Sequence, residues 1–285
     1  MNKIESEQYN KICEANLIFY KQTADQYEST ETCLVDKKVQ AGLQKDLENI
    51  VGFLRQNKTK DVYTVLDACG GSGNVATKLV RMKNLNVTLC DQSQELINIF
   101  LKKIAGQNVI CQVVNTEIST HLSLAPQKYD LIVFSSALHH LENYEAVLKL
   151  AADCLADHGF IFTAFDPIQW KGPARLIMRL DYLTFKLLHH SKDVIPAVRR
   201  KIGQCLTKFS KRLPAKDQVN WGEIAEYHVD KGINDFELVR AMEQKLLTTV
   251  WHRRETKARY FIFELLLKCC GCKTNFTLLL QKKPC

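Results

Sequence analysis

The chain has no apolar run long enough to cross a membrane. Its longest candidates, around residues 161–165 and 260–267, fall well short of the roughly 18 residues a span requires. It also lacks a disulfide framework: the eleven cysteines are odd in number and scattered through apolar stretches, a usage that fits buried thiols in a reducing compartment. No repeat period and no low-complexity tract is visible, which excludes solenoids and arrays. The opening, MNKIESEQ, is too acidic and polar for a secretory leader, so a cytoplasmic setting is expected. The composition has an ordinary globular balance: 285 residues, 46% apolar and 25% charged, enough for one large α/β domain with additions.

Charge is unevenly placed. The whole chain carries +8, yet residues 168–216 hold twelve Lys/Arg against two Asp, so this stretch is +10 and the remainder is −2. An anionic partner would meet this segment first.

Apolar periodicity divides the sequence into parts. Residues 6–56 read as helical, with Ile12, Leu17, Ile18 and Phe19, then Leu43, Leu47, Ile50, Val51 and Leu54 recurring at three- and four-residue spacings. From Asp61 short apolar strands alternate with amphipathic stretches. Strands are expected at 62–67, 87–91, 109–114, 131–135 and 160–165, with helices at 74–83, 93–103 and 144–156. Strands that are apolar throughout, separated by helices, specify a parallel sheet covered on both faces. After Pro167 the alternation stops for a basic, helical stretch. It resumes with a helix at 235–245, a strand at 247–252, a helix at 259–267 and a last strand at 276–281. The expected organisation is an N-terminal helical lid (1–58), a core (59–167), an inserted helical cap (168–233) and a segment completing the sheet (234–285).

The segment Asp67-Ala-Cys-Gly-Gly-Ser-Gly-Asn74 leaves the first strand and opens a helix. Glycines there let backbone N–H groups approach a ligand beside a helix N-terminus. Asp91 ends the next strand, where a carboxylate can accept both hydroxyls of a ribose. Gly71-Ser-Gly73-Asn-Val-Ala76 also satisfies a dinucleotide fingerprint, so spacing alone leaves NAD and other nucleoside cofactors open.

Five segments, in order, resemble the motifs of class I S-adenosylmethionine (SAM) methyltransferases. They are VLDACGGSG at 65–73, LCD at 89–91, VNTE at 114–117, YDLIVFSSALHHL at 129–141 and LADHGF at 155–160. The resemblance implies a Rossmann-like, seven-stranded, mostly parallel sheet with helices on both faces, with SAM as cofactor. It implies that the backbone of Ala68, Gly70, Gly71 and Gly73 holds the methionine end and that Asp67 fixes the loop. Asp91 would bind the ribose and Gln92, Asn115 and Thr116 would flank adenine, with Ser135 at the fourth strand's end. The sequence departs from the family in reading Cys69-Gly70-Gly71 where Gly-Cys-Gly is commoner, and Asn115 where Asp is commoner. The stretch 19–27 resembles the helix that folds over SAM, with Tyr20 and Tyr27 as aromatic candidates against the sulfonium.

The segment after the fourth strand narrows the acceptor. Ser135-Ser-Ala-Leu138 replaces the Asn/Asp-Pro-Pro-aromatic tetrad of amino-methylating nucleic-acid enzymes, and the paired glutamates of protein arginine methyltransferases are missing. The resemblance is to enzymes that modify sugars, quinones and natural products. His139 and His140 stand at the carboxyl edge of the sheet and Asp166 ends the neighbouring strand. A histidine with a carboxylate partner is a natural general base for a hydroxyl, and His140 is preferred over His139. The expected reaction is methyl transfer to a hydroxyl oxygen of a small, partly apolar acceptor, with no metal required. The alternatives are a membrane-surface lipid or quinone-precursor methyltransferase and a catalytically silent SAM-binding regulatory subunit. In the cap, Leu176, Leu180, Leu183 and Leu187 form a helical stripe flanked by Arg175, Arg179 and Lys186. It is expected to bury its apolar side, to roof a substrate pocket, or to bring the basic stretch 168–216 into peripheral contact with anionic membrane. The basic residues lack the interleaved aromatics that suit base stacking, which disfavours nucleic acid.

Overall fold

The computed structural model describes residues 7–30, 32–57, 59–125, 127–189, 224–225, 227–228 and 232–284. Residues 190–216 of the basic stretch therefore lie outside the described residues. The chain forms two compact units. The first comprises Met1–Gln169, Trp221–Arg254 and Asn275–Cys285, and the second Trp170–Asn220 and Glu255–Thr274. This differs from the expected partition, because residues 255–274 group with the segment after Trp170 rather than with the sheet.

The first unit opens with helices α1 (Glu7–Thr30), α2 (Thr32–Val35) and α3 (Lys37–Asn57). Strands β1 (Tyr63–Ala68), β2 (Leu85–Asp91), β3 (Cys111–Asn115), β4 (Tyr129–Ser135) and β5 (Leu155–Pro167) then alternate with helices α4 (Ala76–Leu79), α5 (Gln94–Ile104), α6 (Ile118–Leu124) and α7 (Tyr144–Asp153). Helix α9 (Asp235–Glu243), β6 (Leu247–Glu255) and β7 (Asn275–Lys282) complete the sheet, after α8 (Pro173–His189) of the second unit. Strand order is β3-β2-β1-β4-β5-β7-β6. Strands β1 to β5 pair in parallel and β7 runs antiparallel to β5.

Alternate strand residues explain the layering. Val65, Val87, Leu89, Leu131, Val133, Phe160 and Phe162 share one core cluster with Leu43, Leu47, Ile50 and Leu54 of α3, Leu79 of α4 and Phe100 of α5. The intervening Leu66, Ile132, Phe134, Ile161 and Leu280 are buried as well, so the opposite face is also covered. Helix α3, expected in the lid, thus belongs to the core.

Local differences from expectation have local causes. The helix expected at 74–83 shrinks to Ala76–Leu79, because the turn runs on through Val75 and the chain leaves at Asn84, in the left-handed region at φ 63°. Strand β3 starts at Cys111 rather than 109, since its register with β2 begins at Val87↔Cys111 and Ile110 is exposed. Helix α6 is an addition to the expected elements. Glu117 caps it by accepting the Thr120 N–H.

In the second unit, α8 lies against α10 (Phe261–Cys269). The buried Asp181 carboxylate of α8 accepts the backbone N–H groups of Arg259 (3.2 Å) and Tyr260 (3.0 Å), just ahead of α10. The Arg259 guanidinium lies over the Phe185 ring at 4.4 Å, and the Trp170 indole donates to the Thr274 carbonyl at 3.0 Å. The leucine stripe expected to be buried is exposed at Leu176, Leu180 and Leu183. Among the described side chains of α8, Ala174 and Asp181 are the buried ones, because the carboxylate must meet the N–H groups it accepts.

Candidate active site

At the carboxyl edge of the sheet, the ends of β1, β2, β3 and β4 open into a cleft that α1 covers. Its volume is about 990 Å³, open mouth included. From α1 come Tyr9, Ile12, Cys13, Asn16, Tyr20 and Tyr27, with Leu34 from α2. The residues stand at positions 9, 12, 13, 16, 20 and 27, one face of a helix.

The floor is the turn after β1. Cys69 (φ 54°), Gly71 (φ 53°) and Gly73 (φ 78°) are all left-handed. A Cβ at Gly73 would stand 2.1 Å from the Phe100 ring, so only glycine allows α5 to close on the turn. Asp67 anchors the turn through its Oδ2, which accepts the Ala76 N–H at 2.8 Å. Burial, with the negative charge of Asp91 added, raises the Asp67 carboxyl to about 7. Asp91 accepts the Gly71 N–H on Oδ2 and the Ser93 N–H on Oδ1, both at 2.8 Å, and burial raises its carboxyl too. A third backbone N–H, that of Gln92, also bonds this carboxylate. Lys103 donates to the Ser72 carbonyl at 2.8 Å and pairs with Glu28, which also accepts from the Ser72 hydroxyl at 2.9 Å. This cluster fastens α1 to the turn.

The roof meets β4 at the histidine pair, which forms a short 3₁₀ turn, Leu138–His140. His140 lines the cleft. Its Nδ1 lies 2.9 Å from the Ala225 carbonyl, which can only accept, so the proton sits on Nδ1. Nε2 is then an acceptor and takes the Tyr20 hydroxyl at 2.8 Å. Asn16 donates to the His140 carbonyl at 3.3 Å, and the Tyr20 ring stands edge-on to both His140 and Tyr27.

His139 faces the other way. Its Nδ1 is 2.8 Å from Asp166 Oδ1, and both residues are buried. A bulge in β5 at Phe165, itself left-handed at φ 68°, turns Asp166 toward this partner. The acid expected to orient His140 therefore holds His139.

The cleft gathers Tyr20, Tyr27, Asp67, Gly70, Gly71, Asp91, Gln92, Thr116, Ser135 and His140 from the expected site. Five expected residues stand elsewhere. Ala68 is buried in β1, Gly73 packs on Phe100, and His139 and Asp166 pair behind the wall. Asn115 is exposed and donates to the carbonyls of Asp91 (3.1 Å) and Gln92 (3.0 Å), tying the ends of β2 and β3 together. Sequence reasoning missed Tyr9, Cys13, Asn16, Glu117 and Glu142, all on the cleft wall. The Tyr9 hydroxyl meets the Ser119 hydroxyl at 2.9 Å. Burial and the charges of Glu117 and Glu142 push the Cys13 thiol up to about 11. Helical spacing was the available signal for the α1 members.

A sheet of this strand order, a glycine turn and an acid at the end of β2 define a class I SAM-dependent methyltransferase fold. Residues 65–159 match the family described as a methyltransferase domain. Among solved structures it is similar to the magnesium protoporphyrin IX methyltransferase of Synechocystis PCC 6803 with bound SAH. That pair shares 13% identity over 95% of this chain and 100% of the other, with a TM-score of 0.55. It is also similar to the plantazolicin methyltransferase BamL, solved with a triazolic desmethylPZN analog and SAH, at 14% identity, 98% and 97% coverage and a TM-score of 0.58. A SAM-dependent methyltransferase from Clostridium acetobutylicum ATCC 824 aligns at 12% identity, 93% and 100% coverage and a TM-score of 0.52.

Proposed function

We propose that the chain methylates a hydroxyl oxygen of a small, partly apolar acceptor, with His140 receiving the proton. The observation that carries this reading is the hydrogen bonding of His140: the Ala225 carbonyl keeps the proton on Nδ1, so Nε2 is an acceptor at the cleft wall, where it takes the Tyr20 hydroxyl. The residues present fit SAM. Gly70 and Gly71 offer backbone without side chains, the Asp91 carboxylate lines the cleft at the end of β2, and Gln92 and Thr116 border the same wall. SAM, when bound, supplies an electrophilic methyl group on a positively charged sulfur. Tyr20 and Tyr27 would flank that charge with ring edges and hydroxyls, and α1 would exclude water. During transfer to the acceptor oxygen, the Tyr20 hydroxyl would take the acceptor's proton while passing its own to His140 Nε2. Apolar Ile12, Leu34, Ile118 and Leu141 on the wall support an acceptor with apolar surface.

The test is methyl transfer from labelled SAM to a panel of phenols and alcohols, with SAM affinity measured alongside by calorimetry. His140→Ala should lower turnover by about 10²–10⁴-fold, the usual contribution of a general base, with SAM affinity unchanged. A variant turning over at the parental rate would overturn the assignment.

A further inference from the structure

Helix α10 buries little of itself. Of its residues only Leu267 is buried, while Phe261, Ile262, Leu265 and Leu266 are 78%, 56%, 43% and 44% exposed. Ile262, Leu265, Leu266 and Cys269 stand at the i, i+3, i+4, i+7 spacing of a single helical face. Its neighbour α8 repeats the pattern with exposed Leu176, Leu180 and Leu183 at i, i+4, i+7. Two adjacent helices thus present apolar faces, where a soluble helix would carry polar residues.

The charge around these faces has one sign. Among the described residues of the second unit, the exposed charged side chains are Lys171, Arg175, Arg179, Arg259, Lys268 and Lys273, all basic. The acids Asp181, Glu255 and Glu264 are buried or half-buried, and Asp181 and Glu264 are already engaged, with the α10 N-terminus and with Lys268. No helix among the described residues is long and apolar enough to cross a membrane. Exposed apolar side chains ringed by Lys and Arg match the two attractions of an anionic bilayer surface, acyl-chain burial and lipid-headgroup charge.

We propose that the paired faces of α8 and α10 form a docking surface for an anionic lipid bilayer, on which the protein sits peripherally. Ile262, Leu265 and Leu266 enter the headgroup boundary beside Phe261, and Arg175 and Arg179 meet the phosphates. A protein partner would leave the uniform positive rim uncompensated unless it were itself acidic. A second copy of this chain would bring six like charges against six.

The experiment is sedimentation of the full chain with vesicles of phosphatidylcholine alone or with 30% phosphatidylserine, alongside light scattering to count subunits. The expected result is binding to the anionic vesicles at least tenfold tighter than to the neutral ones, falling severalfold from 0.1 to 0.5 M NaCl as headgroup charge is screened. Ile262→Glu with Leu265→Glu should weaken that binding at least tenfold, and so should Arg175→Glu with Arg179→Glu. Circular dichroism should show parental helix content in both, because the four side chains are exposed. Failure of the parent to bind anionic vesicles overturns the proposal, as does undiminished binding by the apolar pair. A dimer that Leu265→Glu splits, without vesicle binding, would assign the face to a second copy. The result is independent of the His140 assignment, which is read from turnover of a soluble acceptor.

Discussion

His139 and Asp166 meet at two points: Asp166 Oδ1 lies 2.8 Å from the His139 ring nitrogen and accepts the His139 backbone N–H at 3.2 Å. One oxygen thus holds both the ring and the main chain of the residue before His140. The pair joins the end of β4 to the end of β5 and fixes the 3₁₀ turn from which His140 reaches the cleft. Asp166→Ala removes both bonds and leaves buried donors, so stability should fall by about 1–3 kcal/mol. Chemical denaturation checks this. Turnover at a temperature where the variant is folded should fall far less than in His140→Ala.

Tyr20 separates a proton relay from direct contact. If the acceptor proton crosses the phenol, Tyr20→Phe should lower turnover by tenfold or more and leave a rate that still rises with pH as the imidazole becomes neutral. His140→Ala should lose that rise. Rate–pH profiles of the two variants, measured with one acceptor, make the comparison. A Tyr20→Phe profile equal to the parent's would place the acceptor directly on His140.

Asp91 carries two loads, the turn and the expected ribose. Asp91→Ala should weaken SAM binding by about 1.5–3 kcal/mol, the range for charge-assisted hydrogen bonds. Calorimetry showing unchanged SAM affinity, or tight NAD binding by the parent, would remove the cofactor assignment.

Asp67 makes a prediction in pH. Its carboxyl is raised from 3.8 to about 7 in the folded chain, so folding favours the protonated form. The stability it contributes is fully present below pH ~4 and is lost as pH rises through about 7. Asp67→Asn keeps an acceptor for the Ala76 N–H and cannot ionise. Relative to this variant, the parent should lose roughly 2–4 kcal/mol between pH 4 and 8. Denaturation midpoints across that range measure the difference, and parallel curves would refute it.

Gly73 is closed to any side chain. Gly73→Ala puts a methyl into the Phe100 ring and forces a left-handed alanine, so stability should fall by about 2–4 kcal/mol. Thermal melts report it. Gly172→Ala, with open space at its Cβ, serves as the comparison at the same backbone sign.

Much of the fold was legible because parallel strands buried on both faces must be apolar throughout. Runs such as 131–135 and 160–165 stand out from the amphipathic helices between them. The cofactor edge was legible for a related reason: the glycine turn and Asp91 are adjacent to strand ends, so local sequence places them. Even α1 was visible by spacing, while Tyr20 and Tyr27 were singled out by the family resemblance of 19–27. The tertiary structure alone decided which histidine received Asp166, because a single-residue bulge at Phe165 sets the direction of that carboxylate and no local pattern announces it. The proton of His140 was likewise decided by the carbonyl of Ala225, 85 residues away in sequence. The same holds for α8, whose leucine stripe reads as a buried face until Asp181 is seen capping α10. Periodicity reports that a helix is two-sided. Which side is covered depends on the partner that its polar residues must satisfy.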